Sequence, residues 1–470
     1  MTLDALRLEV PDIREEEDAA PLADLIERLA QARSLQHEDA LQQVLSLLFR
    51  LNRSAITLLE RQRALQNCSD EYRHYAAVYL KGKPPSPLFV RLCNELAIGF
   101  KRLLLQILKG RQPSRPHMAW CLYMALHFLA QSLLRHYQLY QDSPPSLWRD
   151  SHLLYWIGEH QECLDEPVAA AFQPASAGTL RGLYQQMLLL ALSNPFHLAE
   201  GECPQLFGAL APLAGLARLR PWDDEGDSEA PIVDLTESQP CLGYAQQPDG
   251  SRDYLRRFEL GALLVALHDP APLQSTSERQ LLERVQHHWM GQQQRRYPRE
   301  EFDVACNLLV GLPAIHAQLL EQRPSPLAAQ MLDTSAGGAR LLCQPDQAAH
   351  ISVGQLVLLL TSNPIPLLAL VRWRHLNIEG LHLGLHYLKG LAKPVWLRRT
   401  PSAQTHQGVL QSTPAPGNGW LHGLWLPNGQ FGEGENLWLQ HANVHNQVIM
   451  PLPPANLSTA SVTRHPLLLT

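Results

Sequence analysis

Apolar residues in the first 290 positions recur mostly every three or four residues, the spacing of one face of an α-helix. Segment 87–110 is typical, because it begins at Pro87 and ends at Gly110, shortly before Pro113. No fixed-period motif indicates a known helical repeat. We therefore predict an N-terminal all-α helical domain at residues 1–290, with helices at 39–66, 87–110, 117–140, 179–192, 256–268 and 276–290.

The pattern changes after Pro298, where apolar and polar residues begin to alternate in short runs bounded by glycine, proline or asparagine. A period of two is typical of half-buried strands. Such runs predict a small antiparallel β-barrel at 291–400 and a further C-terminal β-segment or second small barrel at 401–470. The predicted fold class is multidomain α+β, with strands at 302–310, 315–320, 339–343, 356–360, 367–373, 381–387, 408–411, 420–425, 436–440 and 448–450.

Composition restricts the class of ligand and the compartment. The 470 residues carry a formal net charge of −6, which argues against a DNA- or RNA-binding surface, so an anionic ligand needs a local arginine cluster. Acidic residues at 222–229 predict an exposed loop. The acidic start lacks a signal peptide's apolar core, and polar residues and prolines interrupt the longest apolar stretch, 356–371. Eight widely spaced cysteines without a CxxC pair indicate reduced, mostly buried thiols, so we expect a cytoplasmic protein without a membrane span.

Three arginines, Arg295, Arg296 and Arg299, lie within five residues just before the first predicted barrel strand. Pro298 disfavours continuation of the preceding helix and biases Tyr297 towards an extended conformation, which places the arginines on a loop or strand entry. The planar, permanently charged guanidinium group suits phosphate and the Hoogsteen edge of guanine. This cluster is therefore a candidate anion site.

The segment 333–338 predicts a turn between two barrel strands. The carboxylate of Asp333 can accept hydrogen bonds from the N1–H and N2–H₂ groups of guanine, and Ser335 can donate or accept beside it. Gly337 and Gly338 allow close approach to the backbone. An ordinary hairpin turn uses the same residue types, so this segment alone is not specific.

Together the two segments resemble the PilZ domain family, whose members are bacterial receptors for cyclic di-GMP. Arg295 and Arg299 match its RxxxR motif, and Asp333, Ser335 and Gly338 match its [D/N]xSxxG motif, in the same order. RxxxR alone is unspecific, since Arg111/Arg115 and Arg252/Arg256 satisfy it too. The resemblance covers about residues 292–389 and implies that Arg295 and Arg299 hold phosphates and guanine edges, with Arg296 as an additional contact. It also implies that Asp333 and Ser335 read a guanine and that Gly338 keeps the turn open.

No sequence motif indicates catalysis. The chain lacks a GxSxG elbow, a phosphate-binding P-loop and a GxGxxG segment after a strand. His382 and His386 share a strand face, but no third metal ligand follows from their spacing, so neither a metal nor a cofactor is expected.

The leading hypothesis is a cyclic di-GMP receptor in which the nucleotide orders the arginine loop and reorients the helical domain towards a protein partner. Two alternatives stay open. The barrel could be a structural adaptor that binds no nucleotide, or the helical half, which shows no motif of a named family, could hold an unrecognised enzyme. Ligand stoichiometry, oligomeric state, the partner and the output pathway do not follow from the sequence.

Overall fold

The computed structural model describes residues 7–13, 22–79, 85–110, 114–168, 178–223, 230–242, 251–268, 275–291, 297–415, 419–441 and 447–467. The chain divides into two compact units, the first comprising Met1–Pro195 and Glu200–Gln293 and the second Phe196–Ala199 and Gln294–Thr470. We call them the helical unit and the β unit. Of the predicted acidic loop at 222–229, residues 224–229 lie outside the described residues.

Helices dominate the first unit, as predicted. Ser86 caps the helix that starts at Pro87 by accepting from the N–H of Phe89, and Ser275 with Glu278 forms a capping box. The helices are α1 (Leu22–Ala32), α2 (His37–Arg53), α3 (Leu58–Tyr79), α4 (Pro87–Lys109), α5 (Arg115–Gln138), α6 (Pro145–His160), α7 (Leu180–Leu192), α8 (Glu202–Leu210), α9 (Gly261–His268) and α10 (Thr276–Trp289).

The prediction of one continuous helix at 39–66 is wrong, because the chain breaks between α2 and α3. Thr57 and Glu60 form a capping box at the start of α3: the Thr57 N–H donates to the Glu60 carboxylate (3.1 Å), and the Glu60 N–H donates to Thr57 Oγ1 (3.3 Å). The buried Arg61 guanidinium then donates to the carbonyls of Leu51 and Ser54 at the end of α2. Hydrogen bonds of the connecting residues and of Arg61 therefore stabilise the break.

A small antiparallel sheet in the helical unit was not predicted. Its strands are β1 (Arg218–Pro221), β2 (Ile232–Asp234) and β3 (Leu255–Glu259), in the order β1-β3-β2. The helix predicted at 256–268 is therefore wrong in its first part, and α9 begins only at Gly261. Strand pairing on both sides, together with an ion pair between Arg256 and Glu159, stabilises β3 there.

His152 of α6 is a fully buried histidine in the neutral form. Its Nε2 lies 2.9 Å from the carbonyl oxygen of Gln239, so Nε2 carries the proton and donates it. Its Nδ1 then accepts from the hydroxyl of Tyr184 at 2.5 Å. Burial lowers the pKa of His152 to about 4, against a smaller opposing effect of the Gln239 hydrogen bond.

The β unit begins with a closed antiparallel barrel, as predicted. Its core is a cluster of inward-facing residues that includes Leu341, Leu359 and Leu383. The strand order is β4-β5-β6-β9-β8-β7, and β7 pairs with β4 to close the barrel. The strands are β4 (Glu300–Val310), β5 (Leu327–Ser335), β6 (Gly338–Cys343), β7 (Leu356–Leu360), β8 (Leu367–Leu376) and β9 (Leu381–Tyr387).

The strand predicted at 315–320 is wrong, because helix α11 (Leu312–Leu319) occupies this segment. Gly311 precedes it with a φ of +83°, which glycine adopts without strain, and Pro313 suits its first turn. Leu312, Ile315 and His316 are the buried positions, a helical rather than a two-residue spacing. A further short helix, α12, spans Pro345–Ala348.

A seven-stranded antiparallel sheet completes the β unit, in the order β14-β13-β10-β11-β12-β16-β15. Its Val409, Trp425 and Val462 pack with α11 and with outward-facing leucines of β7 and β8, which include Leu358 and Leu370. This packing covers one side of the barrel and leaves the outer face at β5 and β6 outside the cluster. The strands are β10 (Leu391–Arg398), β11 (His406–Pro414), β12 (Trp420–Pro427), β13 (Asn436–His441), β14 (Gln447–Pro451), β15 (Leu457–Ser458) and β16 (Val462–Leu467).

All eight cysteines are unpaired and seven are buried, which confirms the prediction of mostly buried thiols. Among the described residues, no helix has the length and apolar character needed to span a bilayer. Nor do the described histidine, cysteine and acidic side chains form a group of three that could bind a metal ion.

Candidate functional site

The predicted arginine cluster is described only at its C-terminal end. Arg295 and Arg296 lie outside the described residues, whereas Tyr297, Pro298 and Arg299 lead directly into β4. Arg299 lies directly before the first barrel strand, and α10 already ends at Trp289, well before Pro298.

Asp333 is the centre of an ion-pair triad that joins the two predicted motifs. Its Oδ1 accepts a 2.6 Å hydrogen bond from Nη1 of Arg299, although 34 residues separate the two in sequence. Its Oδ2 lies 2.9 Å from Nε of Arg340, a pair without hydrogen-bond alignment. The Asp333 side chain is 9% exposed, against 31% for Arg299 and 42% for Arg340. The carboxylate is thus nearly buried under two partly exposed cations.

Asp333 reaches Arg299 because β4 and β5 are adjacent antiparallel strands. The pairing aligns Glu301 with Asp333 and Glu300 with Thr334, which brings the strand entry beside the end of β5. A register shift follows in β4 between Glu301 and Val304. Such bulges re-aim side chains near the ends of barrel strands.

The Asp-Ser-Gly segment is a two-residue hairpin rather than a longer turn, and Asp333 lies on β5. Ser335 pairs with Gly338, and Ala336 and Gly337 form the loop. The Oγ of Ser335 accepts from the N–H of Gly337 at 3.3 Å and donates to the Gly338 carbonyl at 3.3 Å. Ser335 therefore holds the hairpin closed from the same outer face that carries Asp333.

Tyr297, two residues before Arg299, lies against this hairpin. A methyl group at Gly337 would lie 3.0 Å from Cδ2 of the Tyr297 ring, so the ring sits close above the turn. Together with the pair between Arg299 and Asp333, this second contact shows that the described part of the first motif lies against the second.

Gly338 has a structural reason to be glycine. A Cβ there would lie 1.9 Å from the carbonyl oxygen of Leu385, because β6 and β9 approach closely at this pair. The absence of a side chain is needed for strand pairing whether or not a ligand binds. Openness towards a ligand remains a prediction for this residue.

A row of aligned residues extends the site across the outer face of the barrel. Asp333 pairs with Arg340, Arg340 with Gly384, and Gly384 with Trp373. A methyl at Gly384 would overlap the indole, 1.8 Å from its Nε1, so the Trp373 side chain lies directly on the Gly384 backbone. The row places a carboxylate, a guanidinium group and an aromatic surface side by side.

Two further basic side chains lie beside this row. Arg372 occupies a bulge in β8 next to Trp373, and His386 pairs across the sheet with Gly338. The pKa of His386 is lowered, first by burial and then by the positive charge of Arg372. Arg299 and Arg340 flank the Asp333 carboxylate, and Arg372 lies on β8 at the far end of the row, so this face can attract an anion and still accept donors from a base.

Sequence reasoning identified Arg299, Asp333, Ser335 and Gly338 as neighbours, and the structure brings these four together. It did not identify Arg340, Arg372 or Gly384. A signal for Arg340 existed: a two-residue loop at 336–337 pairs 335 with 338 and therefore 333 with 340.

Comparison with known proteins adds information on the helical unit. Residues 22–224 match the family model described as the N-terminal domain of the cyclic-di-GMP receptor FimW. The cyclic-di-GMP receptor FimW of Pseudomonas aeruginosa is 24% identical over 280 residues, which cover 55% of this chain and 45% of that protein. The match thus spans less than half of the relative. The chain is similar to a receptor for this dinucleotide, in a region for which its own sequence motifs indicated no family.

Proposed function

We propose that this chain is a cyclic di-GMP receptor whose PilZ-type barrel binds the dinucleotide on the outer face formed by the start of β4 and the hairpin of β5 and β6. The observation that carries this proposal is the pair between Arg299 and Asp333. It joins an arginine segment and an Asp-Ser-Gly segment that are far apart in sequence. The similarity of the helical unit to the N-terminal domain of a cyclic-di-GMP receptor supports the same ligand independently.

Each site residue has a role that follows from its chemistry. Asp333 accepts the N1–H and N2–H₂ donors of one guanine, and Ser335 provides a hydroxyl beside it. Arg295, Arg296 and Arg299 hold the phosphates and the Hoogsteen edge of guanine, for which a guanidinium fork is suited. Gly338 leaves the face flat next to Ser335, so that a base can approach the backbone.

The test is calorimetric titration of cyclic di-GMP into the full chain and three variants, Arg299→Ala, Asp333→Ala and Arg399→Ala. Arg399 is a matched control, because it pairs with Glu435 directly beyond the ends of β10 and β13 in the same unit. We expect saturable binding by the wild type and by Arg399→Ala. Loss of one charge-assisted contact should weaken binding about tenfold or more in each of the other two.

A parallel titration with cyclic di-AMP tests the assignment of Asp333. Adenine lacks the paired N1–H and N2–H₂ donors, so the wild type should prefer cyclic di-GMP and Asp333→Ala should lose most of that preference. A folded wild type that binds neither dinucleotide refutes the receptor function, and a structural adaptor then becomes the leading interpretation.

The second part of the proposal concerns the response. Residues 292–299 join the last helix of the helical unit to the barrel in sequence, so a dinucleotide that binds this segment biases the arrangement of the two units and exposes a surface for a protein partner. Small-angle scattering with and without cyclic di-GMP tests this response. The profile of the wild type should change on saturation, whereas that of Asp333→Ala should not, and an unchanged wild-type profile at saturation contradicts the coupling while leaving the binding site intact.

A further inference from the structure

An extended N-terminal segment lies in a groove of the helical unit. Residues 7–13, which we call the arm, form neither helix nor strand. The groove, which we call the arm groove, runs between α4 and α6. Leu8 is buried in the unit, Glu9 points outward and Val10 is half-buried. This alternation is that of a peptide bound in extended form.

The arm groove recognises the main chain of the arm. The carboxylate of Asp150 accepts from the N–H of Glu9 at 3.1 Å, and Nζ of Lys101 donates to the carbonyl of Glu9 at 2.5 Å. The guanidinium of Arg102 donates to the carbonyl of Pro11. Contacts of this kind can form with any extended segment, because main-chain N–H and carbonyl groups occur in every peptide.

The charged groups that make these contacts are buried as a pair. Lys101 and Asp150 lie 2.5 Å apart with side chains 5% and 1% exposed. Replacing a buried ion pair by apolar residues often leaves the stability of the folded protein unchanged or raises it. A buried ion pair is therefore weak evidence for a purely structural role. Its position between α4, α6 and the arm main chain points to recognition.

Selectivity for side chains comes from the edge of the groove. Arg149 of α6 pairs with the carboxylate of Glu9 at 3.1 Å, and Leu8 provides the buried apolar contact. A pocket of about 340 Å³ remains beside the arm, lined partly by Val10 and Pro11 and partly by groove residues such as Leu147. The arm therefore occupies the groove without filling it.

We propose that the arm groove is a peptide-binding site for an extended segment of a partner protein with the order apolar, acidic, apolar, proline, and that the arm occupies it in cis until displaced. The arm is part of the same chain, so it competes with any partner segment as an intramolecular ligand. The partner segment must therefore bind more tightly than the arm or make further contacts in the open pocket. This proposal does not depend on the dinucleotide site.

The first test uses a fluorescent peptide with the sequence of residues 5–14 and the full chain carrying Leu8→Asp, which expels the arm by charging its buried residue. Fluorescence anisotropy should show saturable binding to Leu8→Asp and binding about tenfold or more weaker to the wild type, where the arm competes. A peptide with the same Leu→Asp change should not bind. Absence of saturable binding to a Leu8→Asp chain whose thermal unfolding is intact overturns the proposal.

A charge exchange tests the register of the bound peptide. Arg149→Glu in the Leu8→Asp background should weaken binding of the peptide. A peptide with Glu9→Lys should recover most of the lost affinity. Arg115→Glu is the matched control, since Arg115 forms a comparably exposed pair with Glu162 in the same unit. Equal effects of the Arg149 and Arg115 variants, or no recovery by the exchanged peptide, contradict the proposed register and with it the site.

Hydrogen exchange on the unmodified chain decides the matter if Leu8→Asp does not fold. An exchangeable arm opens without unfolding of the helices, so the amide of Glu9 should exchange much faster than the buried amides of α5. Exchange of Glu9 at the same slow rate as α5 would identify the arm as a permanent part of the fold and overturn the proposal.

Discussion

The triad around Asp333 predicts unequal costs for removing its three members. Arg299→Ala removes one charge-assisted hydrogen bond whose donor is 31% exposed, so we expect the hairpin to lose about 1 kcal/mol. Arg340→Ala removes a more exposed pair that lacks hydrogen-bond alignment, and should cost about 0.5 kcal/mol or less. Asp333→Ala removes both pairs at once and leaves two neighbouring cations without an anion. Its cost should therefore exceed the sum of the other two and reach about 2 kcal/mol.

Hydrogen exchange of the amides in β5 and β6 is the suitable assay, because it reports the opening free energy of this hairpin rather than an average over two units. A double-mutant cycle isolates the coupling between Arg299 and Asp333, which should be about 1 kcal/mol in dilute buffer. The pair is partly exposed, so 1 M salt should reduce the coupling substantially. The corresponding cycle for Arg340 and Asp333 should give a smaller value.

Two results would refute this reasoning. The first is a cost for Arg340→Ala as large as that for Asp333→Ala, which would mean that Arg340 has a role other than its pairing with this carboxylate. The second is a coupling of zero between Arg299 and Asp333, which would mean that the 2.6 Å contact contributes nothing in solution.

Two further predictions concern stability. Gly338→Ala should destabilise the barrel by about 3 kcal/mol or more because its methyl meets the backbone of Leu385, whereas Gly337→Ala meets only the Tyr297 ring, which can move, so thermal unfolding should separate the two variants clearly. The helical unit should lose stability as the pH falls from 6.5 towards 4, because His152 has a pKa of about 4 when folded and the unfolded chain takes up its proton first. Between pH 7 and pH 5 this residue should account for about 2 kcal/mol in urea unfolding, and His152→Gln should reduce that dependence.

The fold was predictable where the hydrophobic period was long and unambiguous. The stripe at 87–110 became α4, because its pattern extends over enough residues to fix the buried face. The alternation at 302–310 became β4, although Phe302 and Val304 of its apolar set are exposed and only the C-terminal part of the strand, such as Leu308, is buried. Prediction failed where a run was short. Residues 315–320 were assigned to a strand from their apolar content, whereas the spacing of Leu312, Ile315 and Leu319 and the adjacent proline favour the helix that forms there.

The two motifs of the candidate site were predictable from the sequence, but the contacts between their residues were not. Nothing local in the sequence fixes that β4 and β5 are neighbours, so the contact between Arg299 and Asp333 depends on the antiparallel pairing of these two strands. By contrast, the pairing of Asp333 with Arg340 follows from counting residues around a two-residue loop. Trp373 lies beside Gly384 because of a bulge in β8, and bulges leave no clear signal in a single sequence.

The environment of an arginine, rather than the RxxxR spacing, distinguishes a candidate ligand-binding arginine from one that only forms a structural ion pair. Arg256 satisfies the same spacing as Arg299, yet it is buried in the helical unit and pairs with Glu159. Arg299 is partly exposed and shares the carboxylate of Asp333 with a second arginine. A guanine that donates hydrogen bonds to both oxygens of Asp333 must displace both arginines. The exchange at this carboxylate therefore contributes less to the binding free energy than the new hydrogen bonds alone suggest. The phosphates of the proposed ligand must then compensate by pairing with the displaced guanidinium groups, which is why the two motifs can form a dinucleotide site only together.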